Sequence, residues 1–371
     1  MTYASGSQAF RPADHFPSND LICGKNGAGM NNTACKFRKS YCPNLKVDGD
    51  GAIRLILNIN QEHKGLSSCS GNRSSSYNSC FLPREQVKSE LGNKEGQHFI
   101  APHYNSFGHS FRDYDNESER RAGVENFYKT NHLNQTYKFV KEKKEEFGKL
   151  NKVEMGIWEC CELLNEFVDQ SDPDLDEPQI QHLLQSAEAI RKDYPNQDWL
   201  HLTALVHDLG KVLLHPKFGA EPQWCVVGDT YPLGCAFDES IVYYKYFEEN
   251  PDFKHPVYST KLGEYTQNCG LENVVMAWGH DEYMYTVMKE NKSTLPPAGL
   301  FIVRFHSFYS LHRNGAYSYL MNDEDEYNLM WLKIFNKYDL YSKSKVRVDV
   351  EKVKPYYLSL IRKYFPAKLR W

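Results

Sequence analysis

Two adjacent ionisable residues, His207 and Asp208, stand in the most apolar stretch of the chain, with Lys211 just after them. Leu200, Leu202, Ala204, Leu205, Val206, Leu209, Val212 and Leu213 surround them. The stretch reads as one helix over 199–214, apolar almost all round and therefore buried. Ionised groups in such a helix cost several kcal/mol unless they are paired or bound to metal. A lone histidine there is more often a hydrogen-bonded core residue, but an adjacent aspartate shifts the balance. Neighbouring helical positions point about 100° apart, so the two could grip a metal from different angles, or Asp208 could bridge two metals. Lys211, at i+4 from His207, would lie one turn along the same face and confront whatever the metal holds.

Other apolar segments carry matching residues: His182 in Ile180-Gln181-His182-Leu183-Leu184, His280 beside Asp281 after Trp278-Gly279, His306 after Val303-Arg304-Phe305, and Asp339 before Leu340. Nearly every apolar helix thus supplies one histidine or aspartate, as a metal site built inside a bundle requires. Spacing leaves open which of His280 and Asp281 is the ligand. His201, His215 and His312 are weaker candidates. Nitrogen and carboxylate donors without thiolate suit iron or manganese, with zinc an alternative.

The elements that must position these residues are helical. Apolar periodicity predicts helices over 117–147, 153–168, 179–192, 239–249, 272–289, 297–312, 327–341 and 350–364. Pro216, Gly219, Pro222, Gly228, Pro232 and Gly234 mark a long loop after the fourth helix, too long to be idle in a compact domain. A short strand is expected over 52–59. The fold class is all-α.

Composition adds exclusions. The net charge of −4, from 44 Lys+Arg against 48 Asp+Glu, gives no electrostatic case for nucleic acid. No apolar run approaches the ~18 residues of a membrane span, and no signal-peptide stretch opens the chain, so a cytoplasmic protein with reduced thiols is expected. The first hundred residues differ from the rest. They hold 10 Gly, 12 Ser, 10 Asn and five of the ten cysteines, with 12 Lys+Arg against 8 Asp+Glu. Cys23, Cys35, Cys42, Cys69 and Cys80 form no CxxC pair and read as free thiols, and Cys160, Cys161, Cys225, Cys235 and Cys269 likewise lack zinc-ligand spacing. The expected organisation is a low-order extension over 1–105, of unassigned role, before one catalytic domain over 106–371.

The order His182, His207-Asp208, His280, His306, Asp339 is the ligand pattern of a two-metal HD-domain protein. His-Asp alone is a weak signal, but the flanking segments are more specific: His207-Asp208-Leu209-Gly210-Lys211, Glu221-Pro222-Gln223-Trp224, Val227-Gly228-Asp229-Thr230, Trp278-Gly279-His280-Asp281-Glu282-Tyr283 and Arg304-Phe305-His306-Ser307-Phe308-Tyr309. From about residue 111 to the last residue the chain resembles the inositol oxygenase family.

The resemblance implies an HD-domain helical bundle with two irons in a mixed Fe(II)/Fe(III) state, and four-electron ring cleavage of myo-inositol by O2 to D-glucuronate. It implies His182, His207, Asp208 and Asp339 on one iron, His280 and His306 on the other, Asp208 bridging, and Asp281 beside the ligands rather than on the metal. Substrate contacts map onto Arg112, Asp169, Gln170, Ser171, Lys211, Gly228, Asp229, His306 and Ser307. Lys211 and Asp208 are the catalytic candidates, Lys211 favouring the substrate alkoxide. A neutral hexol offers only hydroxyls, so many directed hydrogen bonds must recognise it. Gln170 departs from the glutamate frequent in the family, and the loop over 212–220 is longer than usual.

Two other readings compete. An HD-domain phosphohydrolase or phosphodiesterase would share His207-Asp208, but the flanking segments disfavour it and few cations beyond Lys211 and Arg112 are at hand for an oxyanion. A non-catalytic scaffold is disfavoured because every ligand type is intact. A monomer, with no nucleic-acid or membrane partner, is expected.

Overall fold

The computed structural model describes residues 46–47, 53–54, 104, 111–112, 114, 121–166, 178–342, 344 and 346–371. Most of the extension, its five cysteines, and Asp169, Gln170 and Ser171 lie outside the described residues. The chain divides into two compact units, Met1–Ser79 and Cys80–Trp371. In the first, strands β1 (Lys46–Val47) and β2 (Ile53–Arg54) pair antiparallel. The second is helical.

Helices α1 (Arg121–Asn134) and α2 (Tyr137–Phe147) replace the single helix expected over 117–147. Thr136 separates them because its hydroxyl accepts from the Phe139 amide and starts a new helix. Strand β3 (Glu154–Met155), paired antiparallel with β4 (Leu369–Arg370), and Gly156 precede α3 (Ile157–Leu163), so a helix from 153 does not form. Next come α4 (Gln179–Asp193) and α5 (Asp198–Val206), then α6 (His280–Glu290), α7 (Pro297–Phe305) and α8 (Tyr309–His312). Helices α9 (Asp323–Tyr341) and α10 (Val350–Tyr364) complete the bundle. Asn322 and Asp325 form a capping box at the start of α9, whose acidic first turn suits the helix dipole.

The core is centred on α5. Trp199, Leu200, Leu202, Ala204, Leu205 and Val206 are all buried, and α4, α7, α9 and α10 pack around them. At about 1.5–3 kcal/mol per buried large apolar side chain, this helix contributes strongly to holding its neighbours together.

The structure corrects the expected helix over 199–214. The α-helix ends at Val206, His207 caps it, and Asp208 leaves helical geometry at φ −96°, ψ 1°. A 3₁₀ segment, Leu209–Leu214, follows. Gly210 shows why: a Cβ there would run into the carbonyl oxygen of His280. The backbone of this segment lies against the start of α6, an approach only glycine permits. In 3₁₀ geometry residues three apart eclipse, so Lys211 faces Asp208 instead of lying one turn above His207. Three other expected helices shorten or break. The stretch 239–249 becomes a 3₁₀ turn over Tyr244–Glu249, α6 begins only at His280, and 297–312 breaks after Phe305.

Candidate metal centre

The chemistry-bearing residues gather at helix ends and not within helices. His207 caps the C-terminus of α5, His306 caps that of α7, and His280 opens α6. His182 lies in the first turn of α4 and Asp339 in the last turn of α9. The last carbonyls of a helix lack intrahelical partners. Those carbonyls fix two of the rings: His207 Nδ1 lies 2.7 Å from Ala204 O and His306 Nδ1 3.0 Å from Val303 O. The carbonyl of Val226 does the same for His280 Nδ1, at 2.8 Å. With Nδ1 held by backbone oxygen, each Nε2 is left to point inward, the arrangement that orients metal-ligating histidines.

The inward atoms meet at Asp208. Its Oδ1 lies 3.2 Å from His280 Nε2 and 3.5 Å from His306 Nε2. Its Oδ2 lies 3.5 Å from His207 Nε2 and 3.7 Å from His182 Nε2. Asp339 Oδ1 closes the second group, 3.0 Å from His182 Nε2 and 3.3 Å from His207 Nε2. One carboxylate thus offers a different oxygen to each of two histidine pairs. His182, His207 and Asp208 form one group that could hold a metal, and Asp208, His280 and His306 another. All are buried.

Two observations fit this donor set to a metal pair. With Nδ1 turned to the Ala204 carbonyl, His207 Nε2 is buried without a well-formed hydrogen bond and faces the carboxylate oxygens of Asp339 and Asp208 at 3.3 and 3.5 Å, acceptors that a shared cation would satisfy together. The donors are imidazole nitrogens and carboxylates with no thiolate among them, a set that suits iron or manganese, with zinc an alternative. Burial disfavours charge on Asp208, yet Lys211 and the surrounding histidines outweigh it and hold the carboxyl well below its usual range. His182 and His207 do the same for Asp339 against its burial.

Asp281 Oδ1 lies 2.8 Å from His306 Nδ1 and 3.3 Å from His280 Nε2, and it accepts from Ser307 Oγ at 3.3 Å. His280 Nε2 faces His306 Nε2 at 3.2 Å, and the group with Asp208 and His306 that could hold a metal contains His280 and not Asp281. Lys211 Nζ donates to Asp208 Oδ2 at 2.9 Å. The weaker histidines are engaged elsewhere: His201 lies between Tyr356 OH and Tyr194 O, and the amide of Lys217 donates to His215 Nδ1.

A polar patch adjoins the centre. Arg112 Nη2 donates to Asp229 Oδ2 at 2.7 Å, and Tyr128 OH donates to Asp229 Oδ1 at 3.2 Å. Gly228 has φ +96°, and a Cβ there would press on the Phe127 ring at 2.9 Å, so glycine is required for the turn that presents Asp229. The Thr230 amide donates to Ser307 O at 3.0 Å and ties this loop to the residues after His306. Arg112, Gly228, Asp229 and Ser307 are thus brought to one side of the histidine cluster.

Residues 121–371 match the family model described as myo-inositol oxygenase. The chain belongs to that family. It is 71% identical over 273 residues to inositol oxygenase 1 of Arabidopsis thaliana, covering 74% of this chain and 88% of that one. The inositol oxygenase of Dictyostelium discoideum is 54% identical over 264 residues (70% and 89%), and that of Danio rerio 48% over 262 (70% and 93%). Membership makes the protein an oxidoreductase of the oxygenase class. Arg112 precedes the matched span, so its place beside the centre rests on its contacts to Asp229 and Tyr309.

Three features escaped sequence reasoning. Tyr128 and Tyr309 contact the Asp229–Arg112 pair, but in the sequence they are only aromatics among many. Glu282 and Arg304 form a buried ion pair, Arg304 Nε donating to Glu282 Oε2 at 2.7 Å, which links α6 to α7 two residues from His280 and His306. A charge inside the run Ile302-Val303-Arg304-Phe305 was the available signal, by the argument that singled out His207-Asp208.

Proposed function

We propose that the protein cleaves the ring of myo-inositol with O2 to give D-glucuronate, a four-electron oxidation, at two irons working as Fe(II)/Fe(III). His182, His207, Asp208 and Asp339 would hold one iron, and His280, His306 and Asp208 the other. The observation that supports this best is the division of the two Asp208 oxygens between two histidine pairs. The irons supply Lewis acidity toward a substrate hydroxyl and the electron chemistry with O2.

The protein's own groups do the rest. Lys211, buried and 2.9 Å from Asp208 Oδ2, places a fixed positive charge where a hydroxyl proton must leave, favouring the alkoxide. Arg112 donates and Asp229 accepts, so together they can bind hydroxyls in either sense. The backbone at Gly228, Ser307, and Asp169, Gln170 and Ser171 would complete a ring of directed hydrogen bonds. Both nearby cations are engaged with carboxylates, Lys211 with Asp208 and Arg112 with Asp229, which disfavours a phosphoester substrate.

Residues 106–371 form the catalytic domain in this reading, and 1–105 an extension outside the chemistry. We place the protein in the cytoplasm as a monomer without nucleic-acid or membrane partners. No helix among the described residues is long and apolar enough to cross a membrane. The test is iron content measured together with myo-inositol-dependent O2 consumption and glucuronate formation, with Fe(II) and a reductant supplied. Phosphate release from phosphoesters without O2 uptake would overturn the proposal.

A further inference from the structure

The Arg112 guanidinium has aromatic partners besides Asp229: its Cζ lies 3.4 Å from the centroid of the Tyr309 ring and 5.2 Å from that of Tyr114, both inside the ~6 Å reach of a cation–π contact and Tyr309 much the nearer. Tyr309 opens α8, two residues after Ser307. Its ring is braced by His312 at a centroid distance of 4.7 Å, and His312 Nε2 lies 3.0 Å from the His306 carbonyl oxygen. Phe111, the residue before Arg112, meets Tyr341 edge-on at 4.6 Å. Arg112 itself has φ +52°, a left-handed conformation that a residue with a side chain keeps only where its surroundings hold it.

The two kinds of partner, carboxylate and ring, act differently on the Arg112 donors. A carboxylate compensates charge by consuming N–H groups, whereas a ring face compensates charge and consumes none. A guanidinium has five donors, and Asp229 is bonded by Nη2. A second carboxylate in place of the ring would leave fewer donors for a ligand that is neutral and carries only hydroxyls.

We propose that Tyr309 is a positioning residue for the polyol: its ring face holds the Arg112 guanidinium in the site while leaving its remaining N–H groups for substrate hydroxyls. The proposal rests on the assignment of Arg112 to substrate binding made above.

The experiment uses the iron-loaded full chain and the variants Tyr309→Leu, Tyr309→Phe, Arg112→Ala and the double variant Tyr309→Leu/Arg112→Ala. O2 consumption gives KM and kcat for myo-inositol, and a thermal-shift titration with myo-inositol gives affinity without turnover. Tyr309→Leu is expected to raise KM and the titration midpoint about tenfold, with kcat and iron content near wild type. Tyr309→Phe, which keeps the ring, should restore both. In the Arg112→Ala background, Tyr309→Leu should add nothing.

A wild-type KM for Tyr309→Leu when Arg112→Ala raises it overturns the proposal alone, as does a Tyr309→Phe variant as weak as Tyr309→Leu. An unchanged KM in Arg112→Ala removes both the substrate assignment of Arg112 and the proposal. If Tyr309→Leu yields no soluble protein, a ring-fluorinated phenylalanine at 309 decides. It keeps the shape and weakens the ring quadrupole, so KM must rise, and a KM equal to that of Tyr309→Phe overturns the proposal.

Discussion

At the residue scale the centre depends on Asp208, because two histidine pairs face opposite oxygens of one carboxylate. Asp208→Ala is expected to lose the coupled iron pair and with it turnover, since nothing then shields one cation from the other. Iron analysis that still returned two metals per chain would remove the bridging role. Lys211 is a different case. It donates to Asp208 but does not belong to either histidine group. Lys211→Ala should therefore keep its iron and lose about 10²-fold in kcat/KM, the usual cost of removing a preorganised charge aimed at a reacting oxygen. A near-normal kcat/KM would take Lys211 out of the mechanism. The residue types were open to sequence reasoning because a charge in an apolar segment demands a partner. Which atom of each ring points inward was not, because distant carbonyls such as Val226 O decide it.

At the element scale the site is made by helix ends meeting, and Gly210 is where they touch. Gly210→Ala would drive a methyl group into the His280 carbonyl. It is expected to destabilise the protein by about 1–3 kcal/mol and, by separating α6 from the 3₁₀ segment, to lower iron occupancy. Normal iron content with a normal melting temperature would show that the approach tolerates a Cβ. The buried pair Glu282–Arg304 holds α6 to α7, and Lys144 Nζ of α2 donates to Glu282 Oε1 at 2.6 Å. Burial disfavours the Glu282 charge, but these two cations hold its pKa below the usual range. Apolar periodicity located α4 and α10 nearly to the residue, since each has one apolar stripe and polar flanks. It overran the ends of α5 and α7, where apolar residues continue through a change of winding that periodicity does not register.

At the scale of the whole molecule, the histidine cluster, the Asp229 loop and the described residues from Arg112 onward lie within the unit Cys80–Trp371. Removal of residues 1–105 is therefore expected to leave iron content and myo-inositol-dependent O2 consumption near those of the full chain. Loss of turnover in a folded, iron-loaded truncated protein would give the extension a part in the reaction. What the sequence determined by itself was local: the helical texture, the apolar segments, the donor types of the centre, and the flanking segments that resemble one family. Those features follow from the order of side chains along the chain, because burying a charge or an apolar stripe has a cost or a gain wherever the segment lies. The tertiary structure alone decided that these donors sit at helix ends, that Lys211 turns onto Asp208, that Asp281 stands behind His306, and that Tyr309 meets Arg112. Each depends on contacts between groups far apart in the chain, whose geometry is set by how whole helices pack and not by any local spacing.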